Sequence, residues 1–248
     1  MGVGQLTLID GRAAGQALFE SNASPAHNPG TLATDGFGNY WRYAKAGASA
    51  LVAGNVLTGP AQATNHHTLT PVLTTYTGAI GATQIQVTLG ATAATANQYA
   101  GGVAVVDAST GIGQTFLISG HPAADASATL VLTLGQPIRV ALASGSRITL
   151  APNPHVGVIQ APATTPTGPC VGVATFAITA AEWGWIGVGG VHGTLIGGTP
   201  AVGTLVVYPG NTAGELVADP ADAAVDVAGV MCVTAADGEV NPVKWFLR

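Results

Sequence analysis

The sequence predicts an all-β protein, a sandwich or barrel, on three observations. Apolar and polar residues alternate with a period of two along most of the chain, as in Gln84-Ile-Gln-Val-Thr-Leu89, which puts Ile85, Val87 and Leu89 on one face. Turn formers such as Asp107-Ala-Ser-Thr-Gly111, Ser144-Gly145 and Tyr208-Pro-Gly-Asn211 punctuate these runs at the spacing of short strands. The composition is rich in glycine, with 35 residues, and only 8% of the chain is charged, against roughly 25% in an average soluble domain.

Taken in order, residues 1–38 read as an extended N-terminal arm. Ser21-Asn-Ala-Ser-Pro-Ala-His-Asn-Pro-Gly30 has little to bury, so it either frays or orders against a partner. The only helical candidates are short, at 12–20 and a turn near 91–99. Residues 39–79 and 157–248 carry glycine-punctuated apolar strand pairs and form one β domain. Its runs after the interruption fall at 155–160, 171–178, 183–189, 203–208, 225–234 and 243–247. Between the two parts, 80–156 reads as an inserted β module with runs at 84–89, 102–107, 114–119, 128–134, 137–142 and 146–150. Gly78 and Pro152-Asn-Pro154 flank it.

Several function classes are disfavoured. No charge occurs between Lys45 and Asp107 or between Arg147 and Glu182, yet Pro60, Pro71, Asn65, His66, His67 or a scatter of Thr and Gln interrupts every candidate window of about 20 apolar residues. Aromatic girdles of a membrane barrel are not evident at 6% aromatics. A net charge of -5 with seven scattered basic residues argues against nucleic acid as partner. The N-terminus lacks a basic signal-peptide start, and Leu6 breaks the myristoylation pattern. Cys170 and Cys232 sit in apolar runs and read as buried free thiols ahead of a disulfide.

No motif for catalysis stands out. There is no Gly-x-Ser-x-Gly, and Ser144-Gly-Ser146 is a turn. On a strand, His66 and His67 would point to opposite faces and could not share a metal. His121-Pro-Ala-Ala-Asp125 is a turn sequence, and His192 reads as a core or interface histidine. Asp219, Asp222 and Asp226 share a loop without calcium-loop spacing. In the glycine run 187–198, His192 occupies the third glycine position of a dinucleotide motif, so those glycines read as bulges and close packing. The expectation is a non-enzymatic protein with no catalytic residue, no metal ligands and no cofactor.

The aromatics form the one cluster to single out. Tyr40-Trp41-Arg42-Tyr43 and Glu182-Trp-Gly-Trp185 hold three of the four tryptophans. They are either ordinary core or an interface anchor, since Trp, Tyr and Arg carry disproportionate binding energy; a sugar-stacking platform is a further reading. Tyr40, Trp41, Tyr43, Trp183 and Trp185 are therefore the candidate interface residues.

Residues 43–57, Tyr-Ala-Lys-Ala-Gly-Ala-Ser-Ala-Leu-Val-Ala-Gly-Asn-Val-Leu, resemble the opening of small tailed-bacteriophage capsid decoration (cement) proteins. The runs Gly203-Thr-Leu-Val-Val207, Asp226-Val-Ala-Gly-Val-Met231 and Val243-Lys-Trp-Phe-Leu-Arg248 resemble their close. The section from Gly81 to Val158, with Gly111-Ile-Gly-Gln-Thr-Phe-Leu-Ile118 and Ala151-Pro-Asn-Pro-His-Val-Gly157, is similar to a module of phage virion proteins. The resemblance implies an all-β structural protein on the outer surface of the capsid, a homotrimer whose partner is the major capsid protein, made in the host cytoplasm and resident in the virion. It departs from the short family members by residues 1–38 and 80–156. A head-fibre, tail or baseplate protein, or a carbohydrate-binding adhesin module, would share the composition.

Overall fold

The computed structural model describes residues 7–8, 16–163, 165–220 and 226–247, and every regular element among them is a strand. The chain adopts the all-β class that its alternation predicts. It enters with β1 (Thr7–Leu8), β2 (Leu32–Thr34), β3 (Tyr40–Ala46) and β4 (Val56–Thr58). Next come β5 (Thr70–Pro71), β6 (Gln84–Thr88), β7 (Val103–Ala108), β8 (Thr115–Gly120), β9 (Thr129–Leu134) and β10 (Arg147–Ala151). It returns with β11 (Val156–Gln160), β12 (Cys170–Ala174), β13 (Trp183–Ile196), β14 (Leu205–Tyr208), β15 (Val217–Ala218), β16 (Asp226–Met231) and β17 (Glu239–Trp245). The helix expected at 12–20 is not formed over its described part, 16–20, which is turn, and 91–99 holds turns and an isolated bridge; residues 12–15 lie outside the described residues.

Two compact units result, Met1–Pro60 with Pro154–Arg248, and Ala61–Asn153. In the first, β3 pairs with both β11 and β13, and the order β3-β11-β4-β12-β13 closes into a five-stranded barrel. One core cluster receives side chains from all five strands: Ala44, Ala46, Val158, Leu57, Val171, Ala174, Ile186 and Val188. This cluster is the barrel interior, and small alanines suit a barrel of so few strands. Strand β13 is 14 residues long, and its second half leaves the barrel to pair with β17, followed by β16, β14 and β15. A bridge from Ile196 to Leu216 returns that layer to β13 around a second core that includes Tyr208, Met231, Val243 and Trp245.

Glycine makes the change of partner possible. The register of β13 against β3 shifts between Gly187 and Gly189, and Gly190 follows with φ of 83°. A Cβ at Gly190 would lie 2.4 Å from Gly38 O, so the strand passes the 38–39 turn at a distance only glycine allows.

In the second unit the order β10-β7-β8-β9-β6-β5 is antiparallel throughout. Leu69 N–H donates to Ile148 O at 2.8 Å and Ile148 N–H to Leu69 O at 2.9 Å, which joins β10 to the segment entering β5 and closes the sheet on itself. The alternation of the sequence is realised residue by residue: Ile85, Val87, Phe116, Ile118, Leu130, Leu132, Ile148 and Leu150 point inward. The unit begins at Ala61, well before the expected boundary at 80, because Leu69 and His66 bond to its strands and core. Residues 137–142, expected as a strand, are none. Ile138 and Leu142 are buried in the core, but their N–H groups bond to Ala82 O and Gly78 O of a loop, so two apolar plugs imitated a strand pattern.

Candidate functional site

Antiparallel pairing of β3 with β13 builds the aromatic cluster. Tyr43 stands directly opposite Trp185 and Trp41 opposite Gly187. By the period of two these side chains project outward, on the barrel face opposite Ala44 and Ala46. The Tyr43 ring stacks on Trp183, with centroids 5.6 Å apart and planes 9° apart, and meets Trp185 edge-on at 5.0 Å. Lys45 Nζ lies 5.6 Å from the Trp183 centroid.

Trp41, Tyr43 and Trp185 are buried, whereas Tyr40 and Trp183 are half-buried. What covers them is their own chain. Leu18 and Ala33 belong to the same cluster, and His27 packs on both Tyr43 and Trp185. Tyr43 Oη–H donates to Gln16 Oε1 and accepts from Ala26 N–H at 3.0 Å. Gln16 Nε2 donates to Trp183 O at 2.8 Å, and Asn22 and Trp183 exchange both backbone bonds. Two sequence expectations are corrected here. Residues 16–33 are not an arm awaiting a partner, because Gln16, Leu18, Asn22, Ala26, His27 and Ala33 find partners on this barrel. Tyr43 and Trp185 cannot anchor an external partner while that segment covers them, and Trp41 is buried against His192, where it lines a groove with Phe19 and Val191. The turn-rich composition of 21–30 hid this, since few of its side chains, but many of its backbone groups, make the contact.

A feature that sequence reading passed over lies on the inner side of the same strand. Arg42 shares the face of Ala44 and Ala46. It lines a pocket of about 380 Å³ at one end of the barrel with His155, Cys170, Val171, Val188 and Leu247, and with Pro154 and Pro169 on the rim. Arg42 Nη1 donates to Gly30 O at 2.8 Å, and His155 packs against Gly30. Arg42 and His155 are 113 positions apart, and neither carries a motif.

Burial, and then the neighbouring Arg42 charge, push the His155 imidazole pKa down to about 4. His192 is held below its ordinary value by burial, with its hydrogen bonds to Gly189 O and Tyr40 O opposing. A histidine that resists protonation when folded but not when unfolded means that the unfolded state binds more protons between the two pKa values. The His155 contribution is therefore complete above about pH 6.5 and is lost as pH falls toward 4. Lowering pH from about 7 to about 5 should cost about 2 kcal/mol through His155. Urea unfolding followed by tryptophan fluorescence should show this loss in the wild type and a flatter profile in His155→Asn. Equal slopes for both proteins would remove His155 from the account.

Two further histidines, His66 and His121, serve the core of the inserted unit. His66 Nε2–H donates to Thr92 O at 2.9 Å, so its Nδ1 accepts from Tyr99 Oη–H. His121 Nε2 accepts the Tyr99 backbone N–H at 3.0 Å, and its Nδ1–H donates to Pro122 O at 2.8 Å. Burial pushes the Tyr99 phenol pKa up to about 12. Cys170 and Cys232 form no disulfide with each other, and neither is fully buried as its apolar run suggested: Cys170 is half-buried and Cys232 exposed. Among the described residues no group of three or more His, Cys, Asp or Glu is placed to hold a metal ion, and no helix is long and apolar enough to cross a membrane.

Comparison with protein-family models, curated proteins and solved structures finds no match to this chain.

Proposed function

We propose that the chain is a non-enzymatic virion structural protein that binds the outer surface of a bacteriophage capsid and stabilises it by bridging major capsid subunits. The observation that carries this reading is the apolar, weakly charged outside of the barrel unit. Phe19, Val191 and Val240 are 69%, 49% and 55% exposed and line one groove of about 400 Å³, floored by Gly54 and Gly193. Phe37, Val202 and Phe246 are exposed elsewhere on the unit. Such a surface loses little solvation when covered, because few ions must give up water. The resemblance of residues 43–57 and 203–248 to capsid decoration proteins supports the same reading and falls on this unit.

The carbohydrate-binding alternative is weakened by the burial of Trp41 and Trp185 and by Tyr43 occupying one face of Trp183. A homotrimer at a threefold position, each copy burying about 800 Å² per partner, would give many symmetric bridges across the shell. The test is density-gradient co-sedimentation with expanded heads that lack the protein. Saturable co-migration is expected, with a copy number that reports the symmetry of the site. Folded protein that stays at the top of the gradient overturns capsid binding and favours a fibre, tail or baseplate role. Deleting residues 1–35 is unsuitable for this purpose, because it strips Gln16, Leu18 and Ala33 from the aromatic cluster.

A further inference from the structure

The barrel end holds an arginine where a small barrel would ordinarily carry apolar side chains. Arg42 is half-buried and brings a planar guanidinium cation to the pocket. The bond to Gly30 O uses one of its five N–H donors. Among the described residues no acidic side chain lines the pocket; its walls are Val171, Val188 and Leu247, with His155 and Cys170 beside the charge. A cation among apolar walls is poorly solvated, and a matching anion relieves that cost.

We propose that this pocket binds a carboxylate group carried on a short apolar stem. The planar fork of Arg42 matches the two oxygens of a carboxylate, and the valine and leucine walls take the stem. One guanidinium balances one negative charge, which favours a monocarboxylate over a phosphate dianion. His155 does not compete for the anion with a charge of its own, because burial and Arg42 hold it unprotonated near neutral pH. A carboxylate seated on Arg42 would cancel part of that field and raise the His155 midpoint above about 4. The carboxylate could belong to a small organic acid or to the free carboxyl end of another chain. The chemistry at Arg42 is the same for both.

The experiment follows the His155 imidazole resonances of the full chain by NMR. One pair of probes is isobutyrate and isobutyramide; the other is an N-acetylated alanyl-valine peptide with a free or an amidated carboxyl end. Saturable shifts are expected with the carboxylates, with the amides at least about tenfold weaker. Arg42→Gln should weaken carboxylate binding about tenfold or more, while Arg42→Lys retains part of it. A dispersed spectrum checks that each variant is folded, and the carboxylate–amide comparison in the wild type needs no variant. Tighter binding of isobutyrate assigns the pocket to small acids, tighter binding of the peptide assigns it to a chain end, and equal binding supports the carboxylate site in either use. Absence of shifts with both carboxylates, equal shifts with the amides, or full affinity in a folded Arg42→Gln variant overturns the proposal.

Discussion

Gly190→Ala should destabilise the barrel unit by about 3 kcal/mol or more, enough to abolish folding at moderate temperature in a marginally stable domain. Two costs combine. At φ of 83° an L-residue costs about 1–2 kcal/mol before any contact is counted. The added methyl then meets Gly38 O at 2.4 Å, Asn39 Oδ1 at 2.4 Å and Asn39 Cα at 2.7 Å. Two of those atoms are backbone, and the third accepts the Val191 N–H at 2.9 Å, so moving Asn39 sacrifices that bond too. Gly198 supplies the control. Its φ is 74°, but nothing lies within 4 Å of its Cβ position, so Gly198→Ala should cost only about 1 kcal/mol. All four tryptophans, Trp41, Trp183, Trp185 and Trp245, belong to the barrel unit, so fluorescence-detected urea unfolding reads that unit selectively. Equal midpoints for the two variants would mean that the 38–39 turn yields to the methyl, and the close approach would lose its structural meaning.

Trp185→Ala is expected to cost about 4 kcal/mol, because the side chain is fully buried and its removal leaves a cavity beneath Tyr43 and His27. The effect should spread to residues 16–33, whose amides should lose hydrogen-exchange protection as the ring that seats His27 disappears. Trp185→Phe should cost much less than its lost volume implies. The buried Trp185 Nε1 has no hydrogen-bond partner among the described residues, and phenylalanine removes that unsatisfied donor. Trp183→Ala, at a half-buried ring, should cost about 1–2 kcal/mol. Urea midpoints test the ranking, from most to least damaging, of Trp185→Ala, then Trp183→Ala, then wild type. If Trp183→Ala proved the more damaging, the stacked Tyr43–Trp183 pair would be the true centre of the cluster.

The strand content was legible because alternation is a local signal. In the inserted unit each of β6 to β10 lies within about a residue of its apolar run, since every one buries a single face against a single core. Residues 137–142 misled because two buried side chains spaced by four, Ile138 and Leu142, satisfy a core without any strand pairing. The aromatic cluster was legible as a cluster, since residues two apart share a strand face. Its occupant was not. Nothing local in Gln16 or Asn22 says that their amide, carbonyl and N–H groups will meet Trp183 across more than a hundred positions, and nothing local in Ala26 says that its N–H will meet the Tyr43 hydroxyl.

By itself the sequence determined the all-β class, the two-faced strands and the glycine-dependent close packing along β13, because side-chain period and backbone freedom are properties of neighbouring residues. Only the tertiary structure decided that β3 would pair on both sides and close a barrel, that residues 16–33 would lie on the aromatic face, and that Arg42 would meet His155 at the barrel end. Those outcomes depend on which distant strands share hydrogen bonds, and pairing between distant strands is settled by the fit of whole faces, not by any segment alone.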